Sequence, residues 1–180
     1  MSAQGQPSRY TRSFNGMTGA LIVTVLAVLA FVAWRGLWRT DVDNQPDAVD
    51  WQARVELAQE ADFPVVHPRE LPAGWKATST ELAAGDDPRW SLGVLTDEGR
   101  FVGIRQQDTS VADLVGLYVD EDAVAGDDAT VPSDITDTWQ TWSDPGGDTG
   151  YSTEVGDEAV LVYGSAPPSD IETYINLLTR

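Results

Sequence analysis

The stretch that decides the fold is RWSLGVLTDEGRFVGIRQ, residues 89–106. In its two halves, 89–95 and 100–106, apolar side chains alternate with polar or small ones, which is the two-residue period of a β-strand. The TDEG segment between them has the composition of a tight turn, in which Gly99 can adopt a positive φ. The stretch therefore predicts an antiparallel hairpin. The side chains that its first strand directs to one face are Trp90, Leu92 and Val94.

Further strands are predicted on both sides of this hairpin. Residues 75–82 alternate as a strand before it, and residues 137–143 form another strand after it. Near the C-terminus, 151–155 and 159–164 flank a Gly-Asp-Glu turn and predict a second hairpin. Because hairpins join antiparallel neighbours, these strands predict an antiparallel sheet. The Asp-rich residues 120–134 are predicted to form an acidic loop.

Three helices are predicted in the same region. Residues 49–61 repeat apolar side chains every four positions, and residues 110–118 repeat them at three and four. Pro167 and Pro168 are predicted to begin the third helix. The candidate N-caps are Asp47 or Asp50 for the first helix, Thr109 or Ser110 for the second, and Ser169 with Glu172 as a capping box for the third. The third helix would pack on the sheet through Ile171, Tyr174, Ile175 and Leu178.

The order of these elements is a helix, three strands, a helix, three strands and a helix. This order predicts an α+β fold, with an antiparallel sheet and helices packed on one face. The two strand–strand–strand–helix halves also suggest a weak internal duplication.

An uncharged apolar run precedes this domain. No Asp, Glu, Lys or Arg occurs from Ser13 through Trp34, which is 22 residues. A helix of that length measures about 33 Å, enough to cross a hydrocarbon core of about 30 Å. Tryptophan and arginine follow the run as Trp34, Arg35, Trp38 and Arg39, and such side chains favour the headgroup level of a bilayer. We therefore predict a transmembrane helix at 16–38.

Two alternatives to a permanent anchor are less consistent with the residues. A buried core helix is usually shorter and carries a polar face. A cleaved signal peptide would have a shorter apolar region and small residues before the cut. Phe31 makes cleavage after Ala33 unfavourable, whereas cleavage after Ala30 stays open.

The orientation follows from the size of the domain more than from charge. Arg9 and Arg12 precede the run, and Arg35 and Arg39 follow it, so the positive-inside rule is nearly balanced. A large domain behind a first apolar segment is often exported, which favours a cytoplasmic N-terminus and an extracytoplasmic domain. A small-residue ridge could also pair two such helices into a weak dimer, and it consists of Gly16, Ala20 and Thr24.

The charge distribution separates the segments. Residues 1–15 are polar and are predicted to be a disordered tail, 39–48 an acidic stalk, and 49–180 the extracytoplasmic domain. Residues 41–180 hold 7 basic and 29 acidic residues, a formal charge of −22. A field of that sign repels nucleic acid and anionic lipid headgroups, so neither is expected as a partner.

Catalytic and metal-binding patterns are sparse. His67 is the one histidine and the chain has no cysteine, which excludes a Cys site or a multi-histidine metal site. The acidic residues 120–122 and 127–128 lack the spacing of an EF-hand loop. No catalytic, cofactor-binding or metal-binding residue is therefore predicted.

Tryptophans are the remaining candidates for a binding site. Trp139 and Trp142 lie three residues apart in one predicted strand, and Trp75 begins another. Core packing would account for all three. An exposed ring from this set could instead contact a sugar or a partner protein, so we name them as candidate partner-binding residues.

The order of motifs resembles that of a known family. The motifs are Phe63-Pro64-Val65, Leu71-Pro72-Ala73-Gly74-Trp75, the strand from Trp90 to Val94, the turn and strand from Thr96 to Gly103, and the terminal strand and helix. Over residues 16–180 this pattern resembles the DUF4245 family of actinobacterial membrane-anchored proteins. The Leu-Pro-x-Gly-Trp segment and the terminal strand and helix also resemble sensor-type domains attached to some anti-sigma factors. The resemblance implies a single-pass protein of the cell envelope without an assigned activity.

Two functions follow as hypotheses. The favoured one is a non-enzymatic envelope module, an accessory or sensor domain that binds an envelope protein or a glycan. The alternative is an envelope hydrolase that uses carboxylates, which would require converging acidic side chains in a cleft.

Overall fold

The computed structural model describes residues 14–37, 47–83, 85 and 87–180. Within the first range, side chains are described for residue 19 and for 21–31. The chain divides into two units, Met1–Gln45 and Pro46–Arg180. Most of the predicted tail and stalk, residues 1–13 and 39–46, lies outside the described residues.

Helix α1, Phe14–Leu37, is the described element of the first unit. Its large apolar side chains between Leu21 and Phe31 are exposed. Among the described residues, no helix combines the length and the apolar character that crossing a membrane requires. The span at 16–38 stays a prediction.

The second unit is built around one antiparallel sheet. In chain order its elements are α2 (Trp51–Glu60), β1 (His67–Pro68), β2 (Lys76–Ala83), β3 (Arg89–Leu95), β4 (Phe101–Gln107), α3 (Val111–Tyr118), β5 (Val124–Thr130), β6 (Thr138–Ser143), β7 (Thr149–Val155), β8 (Glu158–Gly164), α4 (Pro168–Ile175) and β9 (Leu178–Thr179). Seven strands form the sheet in the order β2-β3-β4-β8-β7-β6-β5, and β1 pairs separately with β9. Two meanders therefore meet where β4 pairs with β8.

Local signals in the sequence are confirmed where a cap or a turn fixes the backbone. The carboxylate of Asp50 accepts a hydrogen bond from the amide of Ala53 at 3.2 Å and caps α2. The hydroxyl of Ser110 accepts one from the amide of Asp113 at 3.1 Å and caps α3. Gly99 has a φ of +74° in the turn of the β3–β4 hairpin. Each of these features depends on residues a few positions apart.

Two predictions of local structure are wrong. The acidic loop at 120–134 contains strand β5, whose residues are almost all exposed at the edge of the sheet. An exposed edge strand has no apolar alternation, and its acidic residues discourage pairing with other chains. Helix α4 begins at Pro168 with Pro167 as N-cap, so Ser169 lies inside the helix and the capping box does not form. Proline is favoured at the first helical position, so the helix begins at Pro168, before the predicted N-cap Ser169.

The prediction that the helices pack on one face of the sheet is also wrong. Side chains of α2 and α4 belong to the main core, together with Val160 and Val162 of β8. Leu114 and Val115 of α3 belong to a second cluster on the opposite face, which we call the α3 core. The β8 residues in the α3 core are Ala159, Leu161 and Tyr163. A continuous apolar run such as that of β8 is typical of a strand buried on both faces.

The predicted duplication does not extend to the packing. The two meanders form neighbouring parts of the sheet, but α3 and α4 cover opposite faces. Two copies of one unit side by side in the sheet would not place their helices in this way.

Candidate functional site

Trp139, one of the three candidate partner-binding tryptophans, is not at the surface. Its side chain is fully buried in the main core. Its indole Nε1 has no hydrogen-bond partner among the described residues. Residues three apart on a strand point to opposite faces, and here position 139 faces the core. In this conformation Trp139 cannot contact a partner.

The other two candidate tryptophans are half-buried. Trp142 faces the α3 core, and its Nε1 donates a hydrogen bond to the hydroxyl of Ser152 at 2.8 Å. Trp75 stacks on Tyr174 of α4, with ring centroids 6.3 Å apart and an interplanar angle of 8°. Packing accounts for most of both side chains, and their role in partner binding stays a prediction.

Helix α4 is fixed to the sheet through tyrosines. The hydroxyl of Tyr151 on β7 donates a hydrogen bond to Glu172 at 3.0 Å. Burial, then this hydrogen bond and the charge of Glu172, raise the pKa of Tyr151 to about 12. Burial also raises the pKa of Tyr174, whose hydroxyl has no partner among the described residues. These groups stay neutral in the folded state, which favours packing over chemistry.

His67 packs against a tryptophan and contacts a neighbouring backbone carbonyl. Its ring lies 5.9 Å from that of Trp51, and its Nδ1 is 2.9 Å from the carbonyl oxygen of Pro68. Across the described residues, no group of three or more His, Cys, Asp or Glu side chains could hold a metal ion.

Two surface pockets in the described part of the chain bear on the hydrolase hypothesis. One, beside α4, has a volume of about 560 Å³ and a single acidic lining residue, Glu70. The other, between α2 and β2, has a volume of about 630 Å³ and a single acidic lining residue, Asp50. Glycoside hydrolysis by carboxylates normally requires two of them flanking the bond. Neither pocket offers that pair.

The candidate binding surface lies on the face of the sheet against which α3 packs. Helix α3 packs against β7 and β8. On the same face, the side chains of β2, β3 and β4 are mostly exposed or half-buried, and they form a ledge beside the helix. We call this surface the open shelf. Its residues are Ser79, Glu81, Ser91, Gly93, Leu95, Phe101, Gly103 and Arg105, with Tyr163 and Tyr118 along its inner border.

Two glycines hold the ring of Phe101 against the sheet. Gly93 and Gly103 are paired directly across β3 and β4. A Cβ on Gly93 would lie 3.0 Å from Cε2 of Phe101, and a Cβ on Gly103 would lie 2.9 Å from Cζ of the same ring. Glycine in the middle of a strand often marks such a close approach. The outer edge of the half-buried ring, Cε1, Cζ and Cε2, therefore lies over the two glycines.

Aromatic rings continue from Phe101 towards α3. The ring centroids of Phe101 and Tyr163 are 5.8 Å apart in an edge-on arrangement, and those of Tyr163 and Tyr118 are 5.6 Å apart. The guanidinium of Arg105 lies 4.3 Å from the ring centroid of Tyr118. Its Nη1 is also 3.3 Å from a carboxylate oxygen of Glu81. The shelf therefore contains a row of aromatic rings with the Arg105–Glu81 ion pair beside it.

Sequence reasoning missed this site for a specific reason. The available signal was a glycine in the interior of each strand of the central hairpin, Gly93 and Gly103, with Phe101 two residues before the second. That pattern predicts close approach of a bulky group. Tyr163 and Tyr118 join the site only through the β4–β8 pairing and the position of α3.

The fold and the shelf define an α+β domain with helices on both faces of an antiparallel sheet and one part of that sheet left open. The chain belongs to the DUF4245 family, described as proteins of unknown function, whose model matches residues 9–178. The family resemblance drawn from the motifs is therefore confirmed.

Other comparisons add little. No curated protein matches the chain. Among solved structures, the Pseudomonas aeruginosa MucA/MucB complex contains a similar chain at 13% identity with a TM-score of 0.33. The likeness covers 63% of this chain and 34% of that chain, so it spans about a third of the other protein. At that TM-score it indicates neither a shared fold nor a shared function.

Proposed function

We propose that this protein is a membrane-anchored, non-enzymatic binding module of the cell envelope, an accessory or sensor domain whose ligand-contacting surface is the open shelf. The observation that carries the proposal is the half-buried row of Phe101, Tyr163 and Tyr118 on the glycine floor. Glycines in strand interiors weaken a sheet, so two of them opposite each other require a compensating use. Aromatic rings at a surface are enriched where partners bind.

The anchor is supported by the sequence and by the exposed side chains of α1. Residues 13–34 contain no charged residue. Between Leu21 and Phe31, the large apolar side chains are exposed. An exposed apolar surface of this kind calls for a cover, and a lipid bilayer would provide one. The strongly acidic domain would then lie outside the cytoplasm, with the N-terminus inside.

A labelling experiment tests this topology. The chain has no cysteine, so Ser143→Cys in the full-length protein creates a unique thiol at an exposed position of β6. Intact cells would be treated with a membrane-impermeant maleimide, and membranes would be separated from the medium. We expect labelling of a full-length, membrane-bound chain before lysis.

The matched control is Ser2→Cys, at the other end of the chain. We expect this thiol to react only after lysis, because the proposal places it in the cytoplasm. Labelling of Ser143→Cys only after lysis would contradict the proposal. Recovery of a shortened, labelled chain in the medium would support cleavage of the apolar segment instead.

A further inference from the structure

We propose that the open shelf binds an uncharged glycan chain. This inference rests on the proposed function, because it takes the shelf to be the binding surface. It is carried by three properties of the shelf: a platform of aromatic rings over two glycines, polar groups beside it, and an arginine that is already paired.

The platform suits the apolar face of a sugar ring. The outer edge of the Phe101 ring lies directly over Gly93 and Gly103, where no Cβ separates it from the strands. Tyr163 meets it edge-on at 5.8 Å and limits its movement. Phenylalanine and tyrosine combine a large apolar surface with little conformational freedom, which favours contact with a flat partner. A pyranose presents such a surface through its C–H groups.

Polar side chains lie beside the platform. Arg105 and Glu81 are joined at 3.3 Å, and their side chains are 25% and 57% exposed. Together they present donors and acceptors next to an aromatic surface, as the hydroxyl groups of a sugar require. Ser79, in the adjacent row of β2, is an exposed residue and adds a hydroxyl beside Gly93. A purely apolar partner would cover the solvent-facing donors and acceptors of these groups without offering them hydrogen bonds, which is unfavourable.

The charges argue for an uncharged ligand. Arg105, the arginine of the shelf, is paired with Glu81 at 3.3 Å, and Arg89 at the start of β3 lies 3.9 Å from Asp87. The segment 41–180 carries a formal charge of −22, which repels an anionic polymer. The same repulsion opposes a second copy of this chain on the shelf. An uncharged glycan meets neither obstacle.

The test uses the full-length protein in detergent micelles and affinity electrophoresis through gels that contain a soluble polysaccharide. The probes are an α-glucan, a β-glucan and a mannan, with polygalacturonate as the anionic counterpart. We expect retardation by at least one uncharged probe and none by polygalacturonate. Phe101→Leu, which keeps an apolar side chain over the glycines but removes the flat ring, should weaken that binding about tenfold.

The matched control is Leu117→Ala, on the outer side of α3, where the side chain is 72% exposed. It should bind as the unaltered protein does, and thermal unfolding of both variants shows whether the fold is intact. The inference is overturned if no uncharged probe retards the protein, if polygalacturonate does so equally, or if Phe101→Leu binds normally while folded. If Phe101→Leu is unfolded, Glu81→Gln with Arg105→Gln serves as the second variant, and unchanged binding by that folded variant overturns the inference. Failure here with a shelf that is nevertheless covered in cells would leave the proposed function standing with another class of ligand.

Discussion

Gly164→Ala should lower the free energy of unfolding by about 3 kcal/mol or more, the largest effect expected for a single methyl group in this protein. Gly164 has a φ of +156°, and a Cβ there would overlap the carbonyl oxygen of Phe101 and lie 2.8 Å from its carbonyl carbon. These are backbone atoms of β4, which cannot rotate away as a side chain can. The substitution therefore forces the end of β8 away from the start of β4, where the open shelf begins.

Gly99→Ala is the matched control for this prediction. Gly99 also has a positive φ, +74°, but nothing lies within 4 Å of a Cβ built there. Only the cost of a left-handed backbone applies, about 1 kcal/mol. Urea denaturation of the full-length protein in detergent, followed by circular dichroism, measures both. Equal losses for the two variants would show that the close approach of Gly164 to β4 does not limit the fold.

Gln106→Leu should lower the free energy of unfolding by about 3 kcal/mol. Leucine has a similar volume and suits a fully buried site, so the loss comes from the hydrogen bonds of Gln106 and not from packing. The side-chain oxygen of Gln106 accepts a hydrogen bond from the amide of Val66 at 2.6 Å. Its nitrogen donates to the carbonyl of Pro64 at 3.2 Å and to Glu158 at 2.7 Å. Arg180 reaches the same two acceptors but cannot satisfy the buried amide of Val66.

Gln107→Leu is the control for Gln106→Leu, because the neighbouring side chain points to the other face and is half-buried. We expect a change within about 0.5 kcal/mol there. The same denaturation experiment measures both variants. A loss shared equally by positions 106 and 107 would mean that the hydrogen bonds of Gln106 do not determine the effect.

Gln106→Glu extends this prediction to pH. The introduced carboxyl would be buried and 2.7 Å from where Glu158 now accepts, so its pKa in the folded state should lie above that in the unfolded state. Protonation then favours folding, and the deficit relative to the unaltered protein should be full near neutral pH and shrink as pH falls through the raised pKa. If the loss of unfolding free energy in Gln106→Glu is independent of pH, the introduced carboxyl does not have a raised pKa and this prediction is wrong.

The elements that sequence predicts well are those fixed by neighbouring residues. The β3–β4 hairpin follows from its alternation and Gly99, and the caps at Asp50 and Ser110 are set by residues three positions away. Strand β5 escaped prediction because it lies at the edge of the sheet and buries almost nothing. Its Asp and Gly residues are disfavoured in strands, and pairing with β6 alone holds it in place.

The arrangement of layers and the open shelf depend on contacts between residues distant in sequence. The apolar run in β8 is compatible with burial on one face or on both, and only the position of α3 decides. Trp139 and Trp142 are three residues apart and therefore lie on opposite faces, but the strand itself does not reveal which face is the main core. The shelf likewise requires Gly103 beside Tyr163, a register between residues 60 positions apart.

The central claim is that the open shelf is covered by a ligand in the cell envelope. The most direct measurement compares the rate at which Ser79→Cys reacts with an impermeant maleimide in intact cells and in detergent-solubilised, purified protein. Ser143→Cys, on the opposite face of the sheet, provides the reference rate. We expect the Ser79→Cys thiol to react about tenfold more slowly in cells than in the purified protein, relative to this reference. If the rate in intact cells divided by the rate in purified protein is the same at positions 79 and 143, the shelf is uncovered in cells and the proposed binding role is wrong.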